Sequence, residues 1–156
     1  MTERLDYKRV ASAGMKAFGG VHAYIEQCGL PKQLVDLVYL RVSLINGCAF
    51  CIDTHTRDLL KDGMPAEKIA LIPVWFEADD LFSERERAAL AWAETVTRVA
   101  ETHIPDQAYA AAKSVFGDKE LADLTIAIGL MNAYNRLAIG FRTTPLAVIH
   151  GVSAMA

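Results

Sequence analysis

Cys48, Cys51 and His55 are the residues of this chain whose types and spacing best support chemistry. The cysteines stand three positions apart and the histidine follows the second by four, so on an α-helix all three share one face. Asn46-Gly47, immediately before them, is a turn dipeptide and sets the cysteines at a helix start. Free backbone N–H groups and the positive end of the helix dipole favour a thiolate there, most strongly for Cys48 in the first turn. Cys51 lies a turn deeper, and His55 is within reach to take its proton directly or through a water. A thiolate that attacks a peroxide becomes a sulfenic acid, and a neighbouring thiol then closes a disulfide that an outside reductant must reopen. The same side chains are also three of the four ligands a zinc site needs, with Cys28 or Asp36 left to complete it.

Asp36 stands twelve positions before Cys48 on the preceding helix. A short Asn-Gly connection makes those two helices close neighbours, so this carboxylate can face the cysteine helix and orient His55. If buried it requires a partner. A solvated carboxylate near a helix N-terminus is the competing reading.

Positioning these groups falls to a chain that reads as helical throughout. Apolar residues recur at helical spacing over 7–28, with Gly19-Gly20 a possible division, and again from Leu34 to Ile45. The cysteine helix runs to about Lys61, with Gly63 as its stop, and a short helix covers 65–72. A linker over 73–82 leads to Ser83, which with Glu86 makes a capping-box pattern for a fifth helix. Pro105 opens a sixth, with Tyr109, Ala112, Val115 and Phe116 on its buried side, and a seventh spans about 119–141. The tail from about Thr143 reads as loosely structured and free to reach a neighbouring subunit. No segment alternates with period two, so the fold class is all-α, about seven helices in one domain over 1–156.

The 156 residues, 53% of them hydrophobic, suffice for one well-buried core. A net charge of −3 offers no electrostatic basis for nucleic acid or an anionic membrane. No signal peptide or membrane-spanning stretch is legible. Three cysteines, only two of them close together, make no secreted disulfide framework, so a cytoplasmic, reducing location is expected. Elsewhere, Cys28 and His22 read as core residues, and Arg41 as half of an edge or interface pair. Asn132, Asn135 and Arg136 read first as a lock on a subunit contact, and second as pocket lining. Trp75, Phe76 and Phe82 read as packing.

The segment from Asp36 to His55 resembles the AhpD-like, carboxymuconolactone decarboxylase superfamily, whose motif is Glu, eleven residues, Cys-x-x-Cys, three residues, His. The stretches 83–94 and 132–139 are similar to the same group. The resemblance implies an all-helical homo-oligomer, a trimer or hexamer, that reduces alkyl hydroperoxides at the expense of an external thiol or dithiol, without metal or organic cofactor. Carried over by position, Cys51 attacks the peroxide, Cys48 resolves, and His55 with Asp36 forms the proton relay. A lactone decarboxylase is the alternative within the superfamily, although that reaction needs no dithiol. A non-catalytic redox sensor or zinc-binding oligomer is the alternative outside enzymology. Two positions depart from the family pattern. Asp36 replaces Glu and is one methylene shorter, so a bridging water or a shifted helix is expected, and Phe50 stands where peroxidase members carry histidine.

Overall fold

The computed structural model describes residues 2–154, and among them there is no strand. The helices are α1 (Tyr7–Val10), α2 (Ser12–Gln27), α3 (Lys32–Asn46), α4 (Ala49–Lys61), α5 (Ala66–Leu71), α6 (Glu84–Thr97), α7 (Val99–Thr102), α8 (Asp106–Lys113), α9 (Asp118–Phe141) and α10 (Leu146–Ala154). No helix among the described residues is long and apolar enough to cross a membrane.

The centre of the molecule is α3, which packs against α4, α6 and α9. Every residue from Leu34 to Ser43 is buried, so this helix has no solvated face. One side, with Val35, Val38, Tyr39 and Val42, joins the larger core cluster of α6, α8 and α9. The other side, with Leu37 and Leu40, closes over Leu59, Ile69, Ile72, Phe82 and Leu90. Buried polar groups on such a helix need partners within the protein. Arg41 accordingly donates to Glu94 on α6 at 2.8–2.9 Å, and Glu94 also accepts from Trp75 at 2.6 Å.

Several boundaries differ from the sequence expectation. The first segment divides at Ala11, and α2 runs unbroken through Gly19-Gly20, where helical hydrogen bonding outweighs the propensity cost of two glycines. The linker is wound into 3₁₀ turns, Ile72–Glu77 and Asp79–Leu81, and the one-turn α7 was not foreseen. Ala112 and Phe116 are buried as expected, whereas Tyr109 is 48% exposed and meets Trp92 edge-on. The tail is helical: α10 lies against α4, and its Ala147 N–H donates to Asp53 at 2.8 Å. The Ser83–Glu86 capping box opens α6 as expected.

Candidate active site

One joint connects α3 to α4. Gly47 ends α3 in the left-handed conformation, φ +70°, which an L side chain adopts only at a cost. Its N–H bonds Leu44 C=O, and the N–H of Cys48 bonds Ser43 C=O at 3.0 Å, the paired closure of a Schellman motif. Cys48 is at the same time the N-cap of α4, its sulfur accepting from Cys51 N–H at 3.4 Å. Cys48 therefore sits one position outside the helix instead of within its first turn, and Cys51 is the sulfur inside that turn. The Cys51 N–H is one of the orphan donors of the helix start, so the dipole preference expected for Cys48 holds from the N-cap position. The two residues are joined as a disulfide with Cα atoms 5.4 Å apart, and both are nearly fully buried.

A polar clamp holds this joint from the side of α9. The Asn46 side-chain amide donates to Asn132 at 3.0 Å and to Asn135 at 2.9 Å. Asn135 in turn donates to Ser43 at 3.1 Å, and Asn132 to Thr97 at 3.2 Å. Arg136 closes back on Asn132. The hydrogen-bond partners of these three residues lie within this chain. They anchor the C-terminal end of α3, and with it the start of the cysteine helix.

His55 lies four residues after Cys51 on α4, and the two line one cavity of about 310 Å³. Its other walls are largely apolar, among them Met15, Phe50, Met131 and Tyr134. On the far side of the imidazole lies a polar cavity of about 410 Å³, with Lys32, Asp36, Tyr39 and Asp58 in its walls. His22 lines both cavities and stacks on Tyr39 at 6.4 Å between ring centroids. Its side chain is 44% exposed, so it is no core histidine.

Asp36 is buried, which removes the solvated reading, and its partner is Lys32, one turn earlier, at 2.7 Å from Oδ2. Lys32 also contacts Asp62. The other oxygen of Asp36 faces His55 Nδ1 at 4.0 Å, beyond hydrogen-bond reach. Asp58, which sequence reasoning missed, is nearer at 3.6 Å. His55 Nδ1 and Tyr39 Oη are both buried without a hydrogen-bond partner. The spacing of His55 and Asp58, three apart on one helix, was the signal available for this neighbour, as Lys32 and Asp36 at four apart was for the other.

Burial sets the protonation states. It lowers the His55 pKa from 6.5 to about 4, against the pull of the Asp58 carboxylate, so the imidazole is neutral near pH 7. Burial also pushes the Asp36 carboxyl above its ordinary value, with Lys32 opposing it. The Tyr39 phenol is pushed up by burial as well and stays protonated.

As for a metal, the only group of His, Cys, Asp and Glu among the described residues close enough to hold an ion is Asp36, His55 and Asp58, with ligand atoms within 4.8 Å of one another. The sulfurs are not part of it, so the Cys–Cys–His zinc site expected as an alternative does not assemble.

The chain is similar to YdfG, an uncharacterized protein of Bacillus subtilis (strain 168), with 34% identity over 139 residues, 89% of this chain and 94% of the relative. A shorter stretch of 59 residues, 35% of this chain and 33% of the relative, is 42% identical to the alkyl hydroperoxide reductase AhpD of Beijerinckia indica subsp. indica. Among solved structures, ATU0492 of Agrobacterium tumefaciens superposes with a TM-score of 0.88 at 38% identity, covering 92% of this chain and 98% of the other. That protein is of unknown function and has been assigned provisionally to AhpD-type antioxidant defence. The family model for carboxymuconolactone decarboxylases matches residues 11–95, more than half of the chain, and this protein therefore belongs to the carboxymuconolactone decarboxylase family, in its AhpD-like branch.

Proposed function

We propose that this protein is a dithiol peroxidase that reduces organic hydroperoxides. The observation that carries the reading is a disulfide-forming cysteine pair whose inner member, Cys51, shares an apolar chamber with a buried, neutral imidazole. Cys51 sulfur attacks the distal peroxide oxygen while His55 accepts the thiol proton. The O–O bond breaks, an alcohol departs carrying a proton, and Cys51 is left as sulfenic acid. Cys48 sulfur then attacks Cys51, water leaves, and the disulfide closes. Two equivalents of an external thiol, or one dithiol, restore the pair.

Neutral His55 is a weak base, and its protonated form needs charge stabilisation at the moment of transfer. Asp58 and Asp36, 3.6 and 4.0 Å from Nδ1, are the groups that would supply it. Gaps of that size close with small side-chain movements once substrate is bound. The reading includes a single domain and a reducing, cytoplasmic setting. It includes assembly into a homo-oligomer, which the exposed apolar residues Leu71, Val74, Phe76 and Leu81 support.

The test is peroxide consumption with several thiol donors, alongside the mass of the protein after peroxide treatment. Wild type is expected to turn over and to form the Cys48–Cys51 disulfide. Cys51→Ser abolishes consumption, whereas Cys48→Ser permits one turnover at most and accumulates sulfenic acid. Intact thiols after peroxide exposure would end the proposal.

A further inference from the structure

The two sulfurs open on different cavities. Cys51 lines the chamber it shares with His55, whereas Cys48 lines a separate cavity of about 390 Å³ walled by Arg142, Thr143, Thr144 and Pro145. Phe50 and Ala138 line both and form the partition between them. Since Cys48 is only 1% exposed, a reagent reaches its sulfur through this second cavity.

Two polar groups in that cavity lack partners. Thr143 Oγ1 is buried with no hydrogen bond. The Arg142 guanidinium forms no hydrogen bond, ion pair or ring contact among the described residues, although it is only partly exposed. Arg142 also occupies the left-handed conformation that ends α9, φ +59°, where glycine would fit without strain. Its backbone is held there by Thr143 N–H donating to Ala138 C=O at 2.9 Å. The cavity thus combines a disulfide sulfur, an unpaired cation and an unpaired hydroxyl.

We propose that this cavity is the docking site of the reductant, and that the reductant is a small thiol bearing a carboxylate, which Arg142 receives. This inference rests on the dithiol reading above. The incoming thiolate bonds to Cys48 sulfur, the Cys48–Cys51 bond breaks, and the electron pair leaves with Cys51 sulfur. A second thiol attacks the mixed disulfide at the reductant's sulfur, releasing Cys48 and a symmetric disulfide of the reductant. The protein disulfide gains two electrons and two protons, and two thiols supply them. Departure at Cys51 is the favourable direction, because that sulfur lies beside the imidazole that handles its proton.

The experiment starts from full-length protein oxidised with diamide, so it needs no peroxide and reads independently of peroxidase activity. Reduction of the disulfide is followed with 3-mercaptopropionate and with 2-mercaptoethanol, each rate expressed per thiolate. The carboxylate thiol is expected to be faster by up to about five-fold at low salt, the range of a partly exposed ion pair. That preference disappears in Arg142→Met and, in unaltered protein, at about 1 M salt, where such pairs are screened. In the Cys51→Ser background, 3,3′-dithiodipropionate is expected to place one mixed disulfide on Cys48, found by peptide mass mapping, and to do so more slowly once Arg142 is Met. Equal rates for the two thiols in unaltered protein, or a preference that survives both Arg142→Met and high salt, overturns the proposal. Absence of peroxide turnover alongside a retained carboxylate preference would sink the peroxidase reading and leave this site standing.

Discussion

The two cavities on either side of His55 differ in the charge on their walls and in the parts of the chain that supply them. On the Cys51 side the walls are mostly Met, Phe and Tyr drawn from α1, α2, α4 and α9, with Lys8, His22 and Thr54 as the polar groups beside the imidazole and the sulfur. On the other side Lys32, Asp36 and Asp58 crowd the imidazole with charge, and all of them come from α3 and α4 or the residues at their starts. The contrast teaches why a buried histidine is useful here. Burial makes it neutral near pH 7, and two carboxylates stand just out of hydrogen-bond range of its Nδ1, where the proposed mechanism needs them.

The largest effect should come from removing the imidazole that stands between Cys51 and the carboxylates. His55→Gln is expected to lower kcat/KM by about 100- to 10,000-fold, the range for loss of a general base, with the cysteines still able to form their disulfide under diamide. A loss below ten-fold would break the assignment of His55 as proton acceptor.

The polar side is probed next. Asp36→Asn is expected to reduce kcat/KM on the order of ten-fold, equivalent to about 1.4 kcal/mol of charge stabilisation. Asp36→Glu maintains or raises it, because the added methylene shortens the 4.0 Å gap to the imidazole. As a test of positioning as opposed to packing, the acid limb of the pH profile should shift in Asp36→Asn and be recovered in Asp36→Glu. Failure of Glu to restore it would show the shorter side chain to be fitted to this site.

Depression of the His55 pKa to about 4 has a stability consequence as well. Between that value and 6.5 the unfolded chain binds a proton that the folded chain refuses, so stability is complete above about 6.5 and falls as the pH drops toward 4. Burial of Asp36 acts in the opposite direction, since a raised carboxyl pKa favours the folded state as pH falls. Urea denaturation across this range should therefore show a His55-dependent slope that is lost in His55→Gln.

A smaller effect, on stability more than on chemistry, is expected from the clamp that holds both cavities in register. Asn46→Ala leaves the carbonyl oxygen of Asn135 without its donor, whereas that of Asn132 keeps Arg136. The cost should be about 1–3 kcal/mol by denaturant titration, the range for a buried polar group left unsatisfied. An unchanged midpoint would mean that the joint is held by the Gly47 turn alone.

Much of this architecture is legible in local patterns. Gly47 and Gly63 stand where helices stop, Ser83 and Glu86 open α6, and Cys51 and His55 share the face that their spacing requires, whereas Cys48, outside the helix, opens elsewhere. Readings that depend on what lies opposite a residue fared worse. His22 has the spacing of a core residue and instead borders two cavities, because the wall it faces is left partly open. Asn132 and Asn135 interrupt an apolar helix, and nothing in their own neighbourhood indicates that Asn46 is the partner. The tail from Thr143 lacks a strong helical signature, yet it forms α10 with support from Asp53.

By itself, then, the sequence determined the helical class, the dithiol at a helix start, and the histidine one turn beyond the second sulfur. Those features depend on φ/ψ preference and on the 3.6-residue repeat, which act over a few neighbouring positions. Only the tertiary structure decided that Cys48 caps α4 while Cys51 faces the imidazole's chamber, that Asp58 is nearer His55 than Asp36 is, and that each sulfur has its own approach. These outcomes arise from packing α3 against α4 and α9, and burial and charge at a point are sums over every element that meets there.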